Sequence, residues 1–212
     1  MLERRSALLV GATGLIGSLV LQRLLDVSAY RSVTVWARRP LAMHAAGLRT
    51  EVFDFEEMAS HKVQAEDVFC CIGTTMKHAR TREFFRRVDH DYPVALAQAA
   101  ARGGAKRLLV VSSLGADPSS RVFYNRVKGE MEAGVAAAGV PATIFFRPTL
   151  LRGQRDEFRL GERIGQVVGD LLGPLLGRYR PIDADVVATA MIKAALKNLP
   201  SGVIESDQIP TL

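Results

Sequence analysis

The stretch ALLVGATGLIG, residues 7–17, joins an apolar run to a helical pattern through a glycine-rich loop. Ala7–Val10 has the composition of a buried strand, and apolar residues recur at helical spacing from Leu15 to Asp26. A glycine spacing of this kind is weak evidence alone, but it gains weight between a strand and a helix. The order of the three parts therefore predicts the opening unit of a dinucleotide-binding sheet.

The three glycines of this loop have separate tasks. Gly11 allows a tight turn, Gly14 allows close approach of a pyrophosphate, and Gly17 allows the helix to pack on the strand. Exposed N–H groups and the helix dipole then favour the phosphates. No Lys-Ser or Lys-Thr pair follows, which excludes a P-loop; the alternative is that the glycines only form a turn. The cofactor contacts predicted here are Gly11, Thr13, Gly14, Leu15, Ile16 and Gly17.

The end of the second predicted strand indicates which cofactor binds. Ser32–Trp36 is followed by Arg38 and Arg39, with no acidic residue where an NAD enzyme usually holds the ribose 2′-hydroxyl. A carboxylate would repel a 2′-phosphate, whereas guanidinium groups bind one through charge-assisted hydrogen bonds. The two arginines therefore predict NADP(H) rather than NAD(H), the alternative being a pair of solvated side chains.

Two further segments follow the third and fourth predicted strands, at the carboxyl ends where ligands of such sheets bind. In the first, Asp54 could offer a carboxylate to adenine, and in the second Gly73 would let the backbone approach the cofactor closely. For each segment the alternative is a plain loop. The predicted cofactor contacts are Asp54, Phe55, Cys71, Ile72, Gly73 and Thr74.

A tyrosine and a lysine one helical turn apart form the predicted catalytic pair. Tyr124 and Lys128 share one face of the helix predicted over Ser120–Ala138, and a neighbouring ammonium favours the phenolate form of a tyrosine. Ser112 and Ser113 end the preceding strand, and a hydroxyl there could hold a carbonyl oxygen while Tyr124 exchanges a proton with it. Hydride would pass to or from a bound nicotinamide. Ser112 is preferred, and Ser113 remains an alternative.

Short β-branched runs alternate with longer helical patterns along the chain. This alternation predicts an α/β fold with a Rossmann-type doubly wound parallel sheet, covered by helices on both faces. We expect a single NAD(P)-binding domain over residues 1–212, in which 148–212 form a small C-terminal portion on the substrate side. The glycine-rich stretch Gly153–Gly177 has no assigned structure at this point.

The longest helical pattern runs from Thr81 to Arg102. Its stretch Asp89-His90-Asp91 is expected to line an exposed helix surface near a loop. The apolar positions at core spacing, which are expected to pack inside, are Phe84, Phe85, Val88 and Tyr92.

Composition excludes several classes of function. The chain has 212 residues, a net charge of +6 and 7% aromatic residues, but its lysines and arginines are dispersed, which predicts a solvated basic surface and no nucleic-acid partner. Glycines interrupt the apolar run near the N-terminus, so we expect no signal peptide or membrane span. The adjacent Cys70 and Cys71 fit neither a disulfide framework nor a metal site, and suit a reducing, cytoplasmic compartment.

Together the glycine loop 11–17, Ser112-Ser113 and the Tyr124-x-x-x-Lys128 motif resemble the short-chain dehydrogenase/reductase superfamily, in its atypical NAD(P)-binding branch. The resemblance covers nearly the whole chain. Three stretches more narrowly resemble the Tat-interacting-protein group of that branch, namely CCIGTT at 70–75, VDHDY at 88–92 and SSLGAD at 112–117.

This resemblance implies NADPH binding and a Ser-Tyr-Lys site. It implies that Lys128 also contacts the nicotinamide ribose and that Arg147, after the sixth strand, lies near the nicotinamide. Extended members of the superfamily carry an asparagine at the position of Asp89. This chain therefore departs from a proton relay that runs through that asparagine. The C-terminal part is short beside that of sugar-nucleotide epimerases, which argues against a large nucleotide-sugar pocket.

Two functional hypotheses follow. The first is an NADPH-dependent oxidoreductase that acts on a small carbonyl or hydroxyl substrate. The second is a non-catalytic NADP(H)-binding regulator, or redox sensor, that acts through a protein partner; members of the branch include such regulators. A homodimer is the default expectation for the assembly in either case.

Overall fold

The computed structural model describes residues 5–152 and 180–212, so the stretch Gly153–Gly177 lies outside the described residues. Within the described part, no helix combines the length and the apolar character needed to cross a membrane. The strands are β1 (Arg5–Val10), β2 (Tyr30–Ala37), β3 (Leu48–Val52), β4 (Asp67–Cys70), β5 (Arg107–Val111), β6 (Ala142–Arg147), β7 (Leu151–Arg152), β8 (Ile182–Asp183) and β9 (Gly202–Glu205). The α-helices are α1 (Leu15–Asp26), α2 (Met76–Ala79), α3 (Arg82–Arg86), α4 (Tyr92–Gly103), α5 (Phe123–Ala137) and α6 (Ala184–Leu196).

In the described part of the chain, one sheet of seven strands organises the fold, in the order β3-β2-β1-β4-β5-β6-β9. Every neighbouring pair in it is parallel. From β1 the chain first builds outward through β2 and β3, and then returns to add β4 on the other side. This reversal is the defining feature of a doubly wound sheet, so the predicted fold class is confirmed.

Helices cover both faces of the sheet, which is why the central strands are apolar at every position rather than at alternate ones. In β1, Ala7 and Leu9 point into a core shared with α1 and α6. Leu8 and Val10 point into a second core on the opposite face, shared with α4 and α5. The carboxyl end of β1 is thus held from both sides, and it carries the glycine loop.

The C-terminal residues complete these layers. The helix α6 packs beside α1 in the same core, and β9 pairs with β6 as the seventh strand. The separate strands β7 and β8 form a two-stranded sheet. Residues 184–205 of the predicted C-terminal portion therefore belong to the Rossmann layers themselves.

The helix expected over Thr81–Arg102 is interrupted. Between α3 and α4 the residues Arg87–Asp91 form a π-helical turn, which is wider than an α-helical turn. The wider turn shifts the side chains around the axis, and Asp89 points inward with 1% of its surface exposed. Phe84 instead lies 38% exposed. The expectation that Asp89 lines the helix surface is wrong, as is the expected burial of Phe84.

Candidate cofactor and catalytic site

An open cleft of about 480 Å³ lies at the carboxyl ends of the central strands, where the strand order reverses. The register places Val10 of β1 between Trp36 of β2 and Cys70 of β4, so the loops that follow these three strands meet at one edge. Ligands of doubly wound sheets bind at this crevice. The cleft lining includes Gly11–Gly14, Trp36–Pro40, Phe55, Cys71–Gly73, Val88 and Tyr92.

The glycine loop is packed too closely for larger residues. Gly11 has φ +92°, and a Cβ there would lie 2.4 Å from the carbonyl oxygen of Cys71. A Cβ on Gly17 would lie 2.0 Å from the carbonyl oxygen of Gly11. No side chain caps the N-terminus of α1, which begins after Gly14, so its first N–H groups are oriented as an anion site requires. These residues fit the pyrophosphate of a dinucleotide.

The remaining predicted residues of this loop differ in their exposure. Thr13 and Gly14 are exposed and line the cleft. Leu15 is half-buried, and the Ile16 side chain packs in the core with 5% of its surface exposed. Leu15 and Ile16 therefore have only their backbone groups to offer a phosphate.

Arg38 and Arg39 lie at the other end of the cleft, directly after β2. Both are exposed, and among the described residues no carboxylate forms an ion pair with either guanidinium. The Arg38 guanidinium lies 5.9 Å from the centre of the Phe55 ring, within range of a cation–π contact. Two unpaired guanidiniums at this rim fit a phosphate group.

The predicted adenine segment is divided between two roles. The Asp54 carboxylate accepts a 3.0 Å hydrogen bond from the Glu56 N–H and so begins the 3₁₀ turn Phe55–Ser60. Phe55 lines the cleft and packs edge-on against Tyr92, with their ring centres 5.7 Å apart. The Phe55 ring therefore forms part of the cleft wall. Asp54 caps the turn that holds this ring.

The loop after β4 forms the central wall of the cleft. Cys71, Ile72 and Gly73 line it, and the Thr74 N–H donates a 2.8 Å hydrogen bond to the Asp89 carboxylate. Burial raises the pKa of the Cys70 thiol to about 11 and raises that of Cys71 well above its ordinary value. Both thiols are therefore neutral at physiological pH and offer no nucleophile.

Lys128 reaches the Gly73 end of this wall from α5. A Cβ on Gly73 would lie 3.9 Å from the Lys128 Nζ, and this ammonium lies 2.7 Å from an Asp89 carboxylate oxygen, with side-chain exposures of 5% and 1%. Burial alone would lower the pKa of Lys128, but the Asp89 carboxylate and Tyr124 outweigh it and raise that pKa above its ordinary value. Lys128 is therefore a protonated lysine inside the protein.

Tyr124 precedes Lys128 by one turn of α5, and the two side chains interact electrostatically. The Tyr124 ring is half-buried and packs against Phe85, with ring centres 5.4 Å apart. This packing limits the positions open to the phenol. The structure thus brings the predicted tyrosine and lysine together on one face of α5, where Lys128 reaches Gly73 but neither side chain lines the cleft itself.

The two predicted serines face different surroundings. Ser112 is 5% exposed, and its hydroxyl donates a 2.5 Å hydrogen bond to the Glu132 carboxylate. Ser113 is half-buried, and its hydroxyl makes a long 3.4 Å contact with the Leu114 carbonyl. The geometry therefore does not favour Ser112, the serine preferred from the sequence, because its hydroxyl already has a buried partner.

The Arg147 guanidinium pairs with two carboxylates. Its Nε and one Nη donate to Glu132 at 3.0 and 2.6 Å, and the other Nη donates to Glu205 at 2.9 Å. These bonds join the end of β6 to α5 and β9. These bonds use three of the five N–H donors of Arg147, so its expected position near the nicotinamide stays a prediction.

Sequence reasoning missed Glu132 and the burial of Asp89. Tyr124, Lys128 and Glu132 recur every four residues, and that spacing could have placed Glu132 on the same helix face. Asp89 gives no comparable signal, because the π-helical turn that directs it inward leaves no trace in an apolar periodicity.

The adjacent serines provide a matched test. If Ser113 holds a reacting carbonyl oxygen, Ser113→Ala is expected to lower turnover about tenfold or more with little loss of stability, since one hydrogen bond to that oxygen is lost. Ser112→Ala is expected to lower the free energy of unfolding by about 1–3 kcal/mol, because it removes a hydrogen bond to a buried carboxylate and leaves Glu132 Oε1 with Arg147 as its remaining donor. NADPH oxidation and thermal unfolding of both variants distinguish the two roles. A larger turnover loss for Ser112→Ala would contradict this assignment.

The comparisons with known proteins identify an NAD(P)H-binding family. The family model described as NAD(P)H-binding matches residues 11–172. The rat protein HTATIP2 is 37% identical over 167 residues, covering 76% of this chain and 69% of that protein. The FMP52 protein of Eremothecium gossypii is 33% identical over 216 residues, covering 98% of this chain and 96% of its own length. The human epimerase family protein SDR39U1, solved with NADPH, covers 94% of this chain and 72% of its own, with a TM-score of 0.64 and 18% identity.

One expectation is corrected by the same comparison. The fungal relatives FMP52, which align with most of the chain, carry the description mitochondrial in their names. The prediction of a cytoplasmic protein, which rested on two free cysteines, is therefore wrong. Free thiols indicate a reducing environment and do not distinguish between compartments. From the family match over most of its length and the two relatives, the chain belongs to the NAD(P)H-binding Rossmann family, in the group that contains HTATIP2 and FMP52.

Proposed function

We propose that this chain is an NADP(H)-dependent oxidoreductase of the short-chain dehydrogenase/reductase type, acting on a small carbonyl or hydroxyl compound. The observation that carries the proposal is the buried Lys128 ammonium, which lies near Gly73 of the cleft wall and interacts electrostatically with Tyr124. A buried cation beside a tyrosine has an evident use in proton transfer. Membership of the NAD(P)H-binding family supplies the cofactor class.

Each residue then has a defined task. The N–H groups at the start of α1 hold the pyrophosphate, and Arg38 with Arg39 holds the 2′-phosphate. When bound, the nicotinamide supplies or accepts the hydride. Lys128 donates hydrogen bonds to the ribose and places its positive charge near Tyr124. Tyr124 gives a proton to the carbonyl oxygen in reduction or removes one from the hydroxyl in oxidation, while Ser113 orients that oxygen.

A screen of NADPH oxidation with aldehydes, ketones and quinones tests the proposal. Turnover of at least one class that disappears in Tyr124→Phe supports it. Tight NADPH binding without turnover of any compound, unaffected by Tyr124→Phe, would support the cofactor-binding regulator instead. Absence of binding to either nicotinamide cofactor would exclude both functions.

Cofactor preference tests the role of Arg38. Arg38→Ala is expected to weaken NADPH binding about 10- to 100-fold and NADH binding less than about twofold, because a charge-assisted contact to the 2′-phosphate is lost. Trp36, the single tryptophan, lines the cleft, so energy transfer from it to the reduced nicotinamide reports binding directly.

Arg31 provides the control for this measurement. It is exposed at the opposite end of β2, and Arg31→Ala removes the same charge far from the cleft. Its affinity for both cofactors should match that of the wild type. Equal losses for NADPH and NADH in Arg38→Ala would refute a contact with the 2′-phosphate.

A further inference from the structure

Asp89 is a buried carboxylate at the junction of three elements. It lies in the π-helical turn before α4, it faces Lys128 of α5, and it accepts the N–H of Thr74 in the loop after β4. We propose that Asp89 is a positioning residue, which fixes the Lys128 ammonium against the Gly73 wall of the cleft and so sets where this lysine meets the cofactor and Tyr124. The proposal rests on the proposed function. It extends that function to Asp89, which replaces the asparagine of extended relatives.

The two carboxylate oxygens have different partners. Oδ1 lies 2.7 Å from the Lys128 Nζ, and Oδ2 accepts the Thr74 N–H at 2.8 Å. Gly73 lies beside both groups, since a Cβ on it would stand 3.4 Å from Oδ1 and 3.9 Å from Nζ. One rigid side chain therefore determines the distance between the lysine and the cleft wall.

The charge of Asp89 matters as much as its shape. A buried ammonium is strongly disfavoured unless an anion compensates for it. Among the described residues, the groups that face Lys128 are Asp89 from the π-helical turn, Tyr124 from its own helix and the Cys70 thiol from β4. Burial raises the pKa of Cys70 to about 11, so this thiol is neutral at physiological pH. Asp89 is therefore the group that balances the lysine charge.

The next carboxylate along α5 cannot replace Asp89. Glu132 lies one turn beyond Lys128, but its two oxygens already accept hydrogen bonds from Arg147 and Ser112. One face of α5 therefore takes part in two separate ion pairs, Lys128 with Asp89 and Glu132 with Arg147. Loss of Asp89 leaves Lys128 without a replacement among its described neighbours.

The test is Asp89→Asn, which keeps an oxygen for the Thr74 N–H but removes the charge. NADPH affinity, measured by energy transfer from Trp36, is expected to fall about tenfold at neutral pH, the size of one charge-assisted hydrogen bond. Without the carboxylate, burial lowers the pKa of Lys128, so binding should weaken at a lower pH than in the wild type. The alkaline limb of the pH profile of turnover should also shift to lower pH. The KM for the carbonyl substrate should change less than kcat.

Asp91→Asn is the matched control. It removes the same charge from the same turn, but Asp91 is exposed and pairs with His90. Its affinity and pH dependence should equal those of the wild type. If Asp89→Asn is folded, as judged by circular dichroism, and keeps the wild-type affinity and pH profile, the proposal is overturned.

A double variant covers the case in which Asp89→Asn does not fold. Lys128→Met removes the buried cation that Asp89 compensates. The double variant Asp89→Asn with Lys128→Met should therefore fold where Asp89→Asn alone does not, and its NADPH affinity should equal that of Lys128→Met alone. An additional loss of affinity in the double variant would show that Asp89 acts independently of Lys128 and would overturn the proposal. The binding measurements need no turnover, so an inactive but NADPH-binding wild type would refute the oxidoreductase while still testing Asp89. A wild type that binds no NADPH would overturn both.

Discussion

Tyr124→Phe is expected to reduce turnover about a thousandfold, because general acid–base catalysis by one positioned group contributes roughly 10²- to 10⁴-fold. The substitution removes the phenol oxygen and keeps the ring, so the contact with Phe85 at 5.4 Å should persist. NADPH affinity should stay within about twofold of the wild type, since the charge-assisted contacts to the cofactor come from other residues. NADPH oxidation and Trp36 energy transfer measure the two quantities on the same sample.

Tyr92→Phe controls for the loss of a hydroxyl. The Tyr92 hydroxyl donates to Glu56 and its ring lines the cleft, but this residue has no part in the proposed proton transfer. Its turnover should stay within about threefold of the wild type, as expected for the loss of one hydrogen bond outside the reacting atoms. Equal activity in Tyr124→Phe and the wild type would remove Tyr124 from catalysis.

Gly11→Ala is expected to have the largest effect on the cofactor cleft. Its φ of +92° disfavours any Cβ, and that Cβ would lie 2.4 Å from the Cys71 carbonyl oxygen, so the ends of β1 and β4 must separate. We expect a loss of about 3–4 kcal/mol in the free energy of unfolding, from backbone strain and overpacking together. NADPH binding should weaken at least about a hundredfold, because displaced N–H groups lose several hydrogen bonds to phosphate.

Gly139→Ala separates these two causes. Gly139 also has a positive φ, +81°, but an added Cβ there meets nothing within 4 Å. This variant should lose about 1–2 kcal/mol of stability from backbone strain alone and bind NADPH normally. If Gly11→Ala behaves like Gly139→Ala in both measurements, the close approach of the loop to Cys71 is not required for binding.

Local patterns predicted the fold well because the elements that define it are local. The helix α1 was expected at Leu15–Asp26 and begins and ends at those residues. The strand β1 was expected at Ala7–Val10 and runs over Arg5–Val10. In both cases glycine or charged residues flank an apolar run or helix face. The burial pattern and these flanking residues therefore predict the same element.

The candidate site was only partly predictable, because its contacts join residues that are distant in sequence. The spacing of Tyr124 and Lys128 lies within one helix and could be recognised directly. The bond from Ser112 to Glu132 spans 20 residues, and the burial of Asp89 depends on a π-helical turn. Neither depends on local propensity, so the sequence pattern identified two candidate serines and preferred Ser112 without any signal of its bond to Glu132.

The pairing of β6 with β9 has a consequence for how the chain is made. About 55 residues separate the end of β6 from the start of β9, so translation at about 5–20 residues per second leaves the outer edge of β6 bare for roughly 3–11 s. During that interval Arg147 also lacks its Glu205 partner. A nascent polypeptide of this family therefore exposes an open strand to the ribosome surface and to chaperones until its final strand emerges.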